Sequence, residues 1–279
     1  MQPTDSPQDP PAPGNLLFTV AFDPPGEGGM RQLAKMLGSS VVRTGFSGDM
    51  AIFRNTEAPI FAAGRPGIEE VLLPTPPLEG SPLADHARGW KPHVTGFIEP
   101  DNYAWIVFLD ADCLCLRNID HMLSERQGDI LYQPDRRRRI TDAPFHACLT
   151  EEEMTAAAPR QGISSGTWAV RGHCFAAVME AFAGIMQRPP QRGSHWLEQG
   201  AWNRLILDAA AHGWRAEAFE PHEIQFPLSA DPDWNLYRDA AIVHASGPSV
   251  MDRIPFLFGL YMQRFFWDRP GTLLNLLEM

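Results

Sequence analysis

The sequence predicts an α/β fold: one main domain built on a mixed, mainly parallel sheet flanked by helices. Three observations predict it. Apolar runs of strand length alternate with segments of helical periodicity, most clearly in the first half of the chain. The runs LLFTVAF and AWIVFLDADCLCL are continuously apolar, as strands covered on both faces are. The 279 residues, 44% hydrophobic and 20% charged, suffice for a sizeable core. Later strands are separated by loops, which makes the sheet mixed.

The elements follow in order. Residues 1–14, rich in Pro, Asp, Gln and Ser, read as a disordered arm. The domain spans 15–253 and opens with the strand LLFTVAF, then the loop DPPGEGG. MRQLAKMLGSS is a helix, with Met30, Leu33, Ala34 and Leu37 on one face. MAIFR and EEVLLP are short strands, and TPPLEGSP is a Pro-rich loop. ADHARGWKPHVTGFI holds a short helix broken near Pro92. AWIVFLDADCLCL is the strongest strand signal, and DILYQP, TWAVRG and AAIVHAS are three more. Helices are expected at 173–187, with Phe175, Val178, Met179 and Phe182 on one face, and at 197–212, with Leu197, Ala201, Leu205 and Ile206. The apolar, aromatic segment 254–279 reads as a helix docked on the domain, with a dimer contact or a membrane-surface contact as alternatives.

Composition excludes several classes. A net charge of −11 argues against a nucleic-acid partner. Cys113, Cys115, Cys148 and Cys174 form no CxxC pair and no disulfide framework, which suits core packing and a cytoplasmic setting. The N-terminus lacks the pattern of a signal peptide, and no apolar run reaches bilayer length.

The chemistry concentrates at Asp110 and Asp112, at the end of the apolar run Trp105–Leu109. Two residues apart on a strand, they would share a face. Paired carboxylates at a strand's carboxyl end repel one another unless a cation sits between them, and oxygen donors suit Mg²⁺ or Mn²⁺. A second DxD, Asp231–Asp233, lies in a loop with no strand before it and is expected to be a decoy. His244, at the end of AAIVH, is either a turn histidine or a third ligand, and beside the DxD it reads as the ligand. Ser246 and Gly247 would let backbone N–H groups approach a diphosphate. Glu198 and Gln199 open a helix, where they either merely enrich its first turn in acid or reach sugar hydroxyls. The run Arg136–Arg139, read as a loop after DILYQP, is either a solvated patch or a capture point for an anionic acceptor or lipid head group.

Together FLDADCLCLRNID, ISSGTWAVRG, EQGAWNRLI and VHASG resemble, in order, the DxD, NSG, DQGxxN and HxxG motifs of the glycogenin-like retaining family of A-type nucleotide-sugar glycosyltransferases. The resemblance spans roughly Leu16 to Gly247. It implies a Rossmann-like nucleotide-sugar transferase domain. Asp110, Asp112 and His244 would bind Mn²⁺ (or Mg²⁺), and Asp110 would also touch the donor. Phe22 and Asp23 would border the nucleobase, Lys91 would contact donor phosphate or sugar, and Ser165 and Gly166 would border the sugar. Gly247 would approach the diphosphate, and Glu198 and Gln199 would be catalytic. The donor would be a UDP-sugar, and the acceptor is open between glycan, protein and small molecule. Ser164 stands where the family has Asn, Glu198 where it has Asp, and Val250 where it has Lys, with Arg253 placed to supply that cation. These departures leave the donor sugar and the stereochemical outcome open. A nucleotidyltransferase making nucleotide sugars, and a catalytically inactive nucleotide-sugar-binding protein, are the alternatives. A phospho-aspartate phosphatase fits less well, because its nucleophile normally lies near the start of the domain.

Overall fold

The computed structural model describes residues 13–24, 27–74, 83–188, 197–227, 230–246 and 252–267. The first twelve residues of the expected arm, the Pro-rich loop 75–82, Gly247, Val250 and residues 268–279 lie outside the described residues. In order come β1 (Gly14–Ala21), α1 (Gly29–Arg43), β2 (Asp49–Arg54), β3 (Ile68–Leu72) and α2 (Leu83–Trp90). At Lys91–Phe97 the chain tightens to a 3-10 helix, as Pro92 has no N–H for an α-helical bond. Next are β4 (Tyr103–Leu109), β5 (Cys113–Cys115), α3 (Asp120–Leu123), β6 (Ile130–Arg139), α4 (Glu151–Ala157) and β7 (Gln161–Arg171). The second half holds α5 (Gly172–Met186), α6 (Leu197–Asp208), β8 (Ala216–Ala218), β9 (Ile224–Gln225), α7 (Trp234–Tyr237), β10 (Ile242–His244) and α8 (Arg253–Met262).

Seven strands form one sheet in the order β3-β2-β1-β4-β7-β6-β8. β7 runs antiparallel to both its neighbours, and the other pairings are parallel. The fold class is therefore the mixed, mainly parallel α/β sheet that the sequence predicts. Strand alternation feeds two cores. Leu17, Ile52 and Val107 face α1 and α8, where Leu33, Leu37, Leu257 and Leu260 are buried. Phe18, Phe53 and Phe108 face α5 and α6, meeting Phe175, Phe182 and Trp202. There Phe108, Trp168 and Trp202 stack in series, at centroid distances of 5.1 and 5.0 Å.

A second sheet, β5-β10-β9, sits beside the end of β4. This corrects two expectations. AWIVFLDADCLCL is not one strand, because it breaks after Leu109 and Cys113–Cys115 moves to the second sheet. Asp110 and Asp112 thus lie in a turn, closed by the Cys113 N–H donating to the Asp110 carbonyl at 2.9 Å. Their convergence comes from that turn and not from strand alternation. The second correction is that Arg136–Arg139 belong to β6 and not to a loop after it.

All four cysteines are free thiols, and burial pushes Cys115 up to about 12. The segment from Arg253 packs on α1 and β5 through Phe256, Leu257, Leu260 and Tyr261, and Arg43 Nε donates to the Tyr261 hydroxyl at 2.7 Å. No helix among the described residues is long and apolar enough to cross a membrane.

Candidate functional site

At the junction of the two sheets, three elements bring polar side chains together. The turn after β4 supplies Asp110 and Asp112, β10 ends in His244, and β7 passes beneath them at Ser164–Gly166. Backbone bonds fix the arrangement. The Asp110 N–H donates to the Gly166 carbonyl at 2.8 Å, and the Ala245 N–H donates to the Asp112 carbonyl at 2.9 Å. His244 Nε2 lies 3.4 Å from Asp112 Oδ1 and 3.7 Å from Asp110 Oδ2. Its other nitrogen, Nδ1, is 3.5 Å from Gln133 Oε1 and can donate only weakly at that length. Nε2 is buried and has no hydrogen-bond partner among the described residues. With a proton on Nδ1, its lone pair faces two carboxylates. That donor set, one imidazole and two carboxylates, fits a divalent cation such as Mn²⁺ or Mg²⁺.

Gly166 shows why the space exists. A Cβ built there would lie 2.3 Å from Asp110 Oδ2 and 2.3 Å from His244 Cε1. The glycine keeps β7 clear of the Asp110 carboxylate and the His244 ring. Cys113 also lies within ligand distance of Asp112 and His244. Burial first, then the charges of Asp112 and Asp110, push its thiol well above the usual range. Mn²⁺ or Mg²⁺ prefers the carboxylates and the imidazole to a soft sulfur donor, and Cys113 is packed in the buried core.

A cationic group already serves each aspartate. Arg253, at the start of α8, places Nη1 2.7 Å from Asp112 Oδ2. Burial opposes ionisation of Asp112, yet the neighbouring cations, the His244 imidazolium when protonated and then Arg253, hold its carboxyl below the ordinary value. Lys91 is 4% exposed, lies 2.9 Å from Asp110 Oδ1, and also pairs closely with Glu198. Burial alone would lower the Lys91 ammonium, but the two carboxylates hold it above its ordinary value. One ammonium cannot neutralise two carboxylates, so burial and Asp110 push Glu198 up.

The start of α6 gives four residues of EQGAWN a physical task. Glu198 binds Lys91. Gln199 Oε1 accepts from the Ser165 hydroxyl at 3.0 Å, and its amide donates to the Ile163 carbonyl. Gly200 lets the helix approach the 146–148 loop, since a Cβ would meet that of Ala147 at 2.7 Å. Asn203 is fully buried and holds the Ile163 N–H and carbonyl at 2.9 and 2.7 Å. The helix thus grips the β7 edge that carries Ser165 and Gly166.

Other expected residues sit less centrally. Phe22 is buried in the sheet core. Asp23 accepts from the Met30 and Arg31 N–H groups at 2.8 and 2.9 Å, which ties the loop after β1 to the start of α1. Asp233 caps α7 through the Asn235 N–H, a structural task that fits a decoy. Gln133 and Phe226 were missed by sequence reasoning. Phe226 packs tilted on His244 at 5.3 Å. A polar residue inside an apolar strand was the one signal that could have found Gln133, and nothing marked Phe226.

No family model matches this sequence, and the search of curated proteins found no match. Solved structures do resemble it. The apo structure of the WbbM bifunctional glycosyltransferase aligns with a TM-score of 0.58 at 9% identity, over 93% of this chain and 51% of that one. The galactosyltransferase LgtC, in complex with donor and acceptor sugar analogues, aligns with a TM-score of 0.55 at 12% identity, over 88% of this chain and 94% of that one. An active-site mutant of LgtC gives 0.53 at 12% identity, over 88% and 95%. The chain spans about half of the first of these and nearly all of the others. At these identities the likeness establishes the fold, that of the A-type glycosyltransferases.

Proposed function

We propose that this A-type fold carries a metal-dependent glycosyltransferase, moving a hexosyl group from a nucleotide-diphosphate sugar, a UDP-sugar, to an acceptor. The supporting observation is the bare His244 Nε2 facing Asp110 and Asp112. These three residues would hold Mn²⁺ or Mg²⁺. When bound, the ion supplies Lewis-acid neutralisation of the departing diphosphate. The loop after β1, with Phe22 and Asp23, borders the nucleobase. Ser165 and Gly166 border the donor sugar, while the diphosphate role of Gly247 falls outside the described residues. Lys91 stays charged between Asp110 and Glu198 and orients the donor. Glu198, aligned by Lys91, and Gln199, aligned by Ser165, stand where positive charge develops on the sugar as the glycosidic bond lengthens.

His244→Ala tests the ligand role. It is expected to weaken Mn²⁺-dependent uridine diphosphate binding by about 100-fold or more, at or beyond the top of the range for a residue that merely supports a ligand, while leaving the metal-free melting temperature nearly unchanged. Calorimetric titration and apo melting on that one variant decide it. Unchanged Mn²⁺ affinity would remove His244 from the site, and stronger binding of guanosine diphosphate by the wild type would overturn the donor assignment.

The Arg253–Asp112 pair favours a second reading, in which the guanidinium takes the cation's place and the protein binds nucleotide sugars without transferring them. The two readings diverge for Arg253→Gln. If Arg253 only competes with metal, the variant binds Mn²⁺ about fivefold tighter, the upper worth of a half-exposed ion pair. If it substitutes for metal, nucleotide binding is lost and Mn²⁺ does not restore it.

A further inference from the structure

The chain is acidic overall, yet four arginines stand consecutively at the end of β6, beside the site. Gln133 Oε1 meets His244, and Gln133 pairs with Ser164 of β7. Two residues on, Asp135 pairs with Gly162. The next pairing is Arg139 with Gln161. One step on β7 therefore spans four on β6, and Arg136, Arg137 and Arg138 bulge from the sheet.

Asp135 is the anchor of this bulge. Its carboxylate is buried, accepts from the Arg137 N–H at 3.0 Å and binds the Arg138 guanidinium at 2.7 and 2.9 Å. Arg138 therefore neutralises Asp135. Arg139 is tied to the Pro159 carbonyl at 3.0 Å. The charge of Arg137 is only loosely shared, with Nε 3.9 Å from Asp135, and its guanidinium lies 4.9 Å over the Phe226 ring. The same ring packs on His244, so Arg137 is one ring away from the metal-site histidine. Arg136 is exposed and makes no hydrogen bond or ion pair among the described residues. The buried Asp135 carboxylate thus anchors Arg137, whose charge is only loosely shared, close to the site, and the same bulge presents the exposed Arg136 beside it in sequence.

We propose that this bulge is an acceptor subsite that selects a phosphate-bearing acceptor through Arg136 and Arg137. The inference rests on the transferase reading, which supplies the donor side of the same cleft. Two free cations suit a phosphate monoester dianion better than a single carboxylate, and planar guanidiniums bind phosphate in a bidentate manner.

The test uses the full chain with uridine diphosphate and Mn²⁺, titrated with glucose 6-phosphate, glucuronate and glucose. Wild type is expected to bind glucose 6-phosphate about tenfold tighter than glucuronate or glucose, as charge-assisted bonds imply. R136Q/R137Q is expected to erase that preference and leave nucleotide binding unchanged. Equal binding of the three sugars by wild type, or an unchanged preference in the variant, overturns the subsite. Vesicles of phosphatidylcholine, with and without phosphatidylglycerol, separate a membrane source. Arginine-dependent capture by the anionic vesicles alone, without glucose 6-phosphate preference, also overturns it. Failure of wild type to bind the nucleotide counts against the transferase reading. Intact nucleotide binding with no phosphate preference removes the acceptor subsite alone.

Discussion

Gly166→Ala is expected to abolish Mn²⁺ binding and lower sugar transfer by about 10³-fold or more, comparable to losing a principal electrostatic element of an active site. The added methyl would sit 2.3 Å from both Asp110 Oδ2 and His244 Cε1. Neither neighbour can yield cheaply. The Asp110 N–H is bonded to the Gly166 carbonyl itself, and His244 is buried at the end of β10 between Gln133 and Phe226. Relief requires moving the Asp110 carboxylate and the His244 ring apart, so metal affinity is expected to fall together with activity. Overpacking also costs about 1–3 kcal/mol of stability. Mn²⁺ titration, transfer assay and apo melting on the one variant give the result. Retained Mn²⁺ affinity would mean that the cation site lies elsewhere.

Lys91→Met is expected to be the most destabilising single change in the site, costing about 3–5 kcal/mol at neutral pH in metal-free buffer, because it strands the buried Glu198 carboxylate without its ion partner. Glu198 is the more deeply buried of the two carboxylates that Lys91 pairs with, at 4% exposure. Its folded-state value is already raised by burial and Asp110, and losing the ammonium raises it further. The sign follows from linkage. A carboxyl with a raised folded value binds its proton more tightly in the folded state, so stability is gained as pH falls through that value and lost as pH rises. The deficit of Lys91→Met should therefore narrow in mildly acidic buffer. Lys91 itself has a raised value, so its own contribution to the wild-type pair is lost only at strongly alkaline pH, as the ammonium deprotonates. Adding Glu198→Gln should recover much of the loss, since it removes the stranded charge. Melting curves of wild type, single and double variants across pH measure this. A deficit independent of pH, with no rescue by Glu198→Gln, would show that Lys91 contributes packing alone.

Tertiary structure decided most of what these two predictions use. Gly166 reads as a sugar-bordering residue by resemblance, but its closeness to Asp110 and His244 depends on β7 running antiparallel against the end of β4, a pairing between residues far apart in sequence. Lys91 follows a Pro-broken helix, and nothing local places its ammonium between Asp110 and Glu198. The bulge at Arg136–Arg138 was invisible for the same reason. A bulge is a mismatch between two strands, and a single strand's sequence records only its own half of that register.

The sequence by itself determined the fold class and most of the major helices and strands, and it placed Asp110, Asp112 and His244 at the ends of apolar runs. Those are consequences of periodicity, which local chemistry writes directly into the chain: apolar residues every second or every third to fourth position must face a core. It misjudged the path through Asp110–Asp112, because a continuous apolar run cannot distinguish one long strand from two short strands joined by a turn and shared between sheets. Burial makes both equally apolar. Only the tertiary structure decided which buried charges share a partner, which arginines the fold consumes and which it leaves free. Those outcomes depend on distances between separate elements, and Coulomb and hydrogen-bond energies change over a few ångströms that the order of residues does not specify.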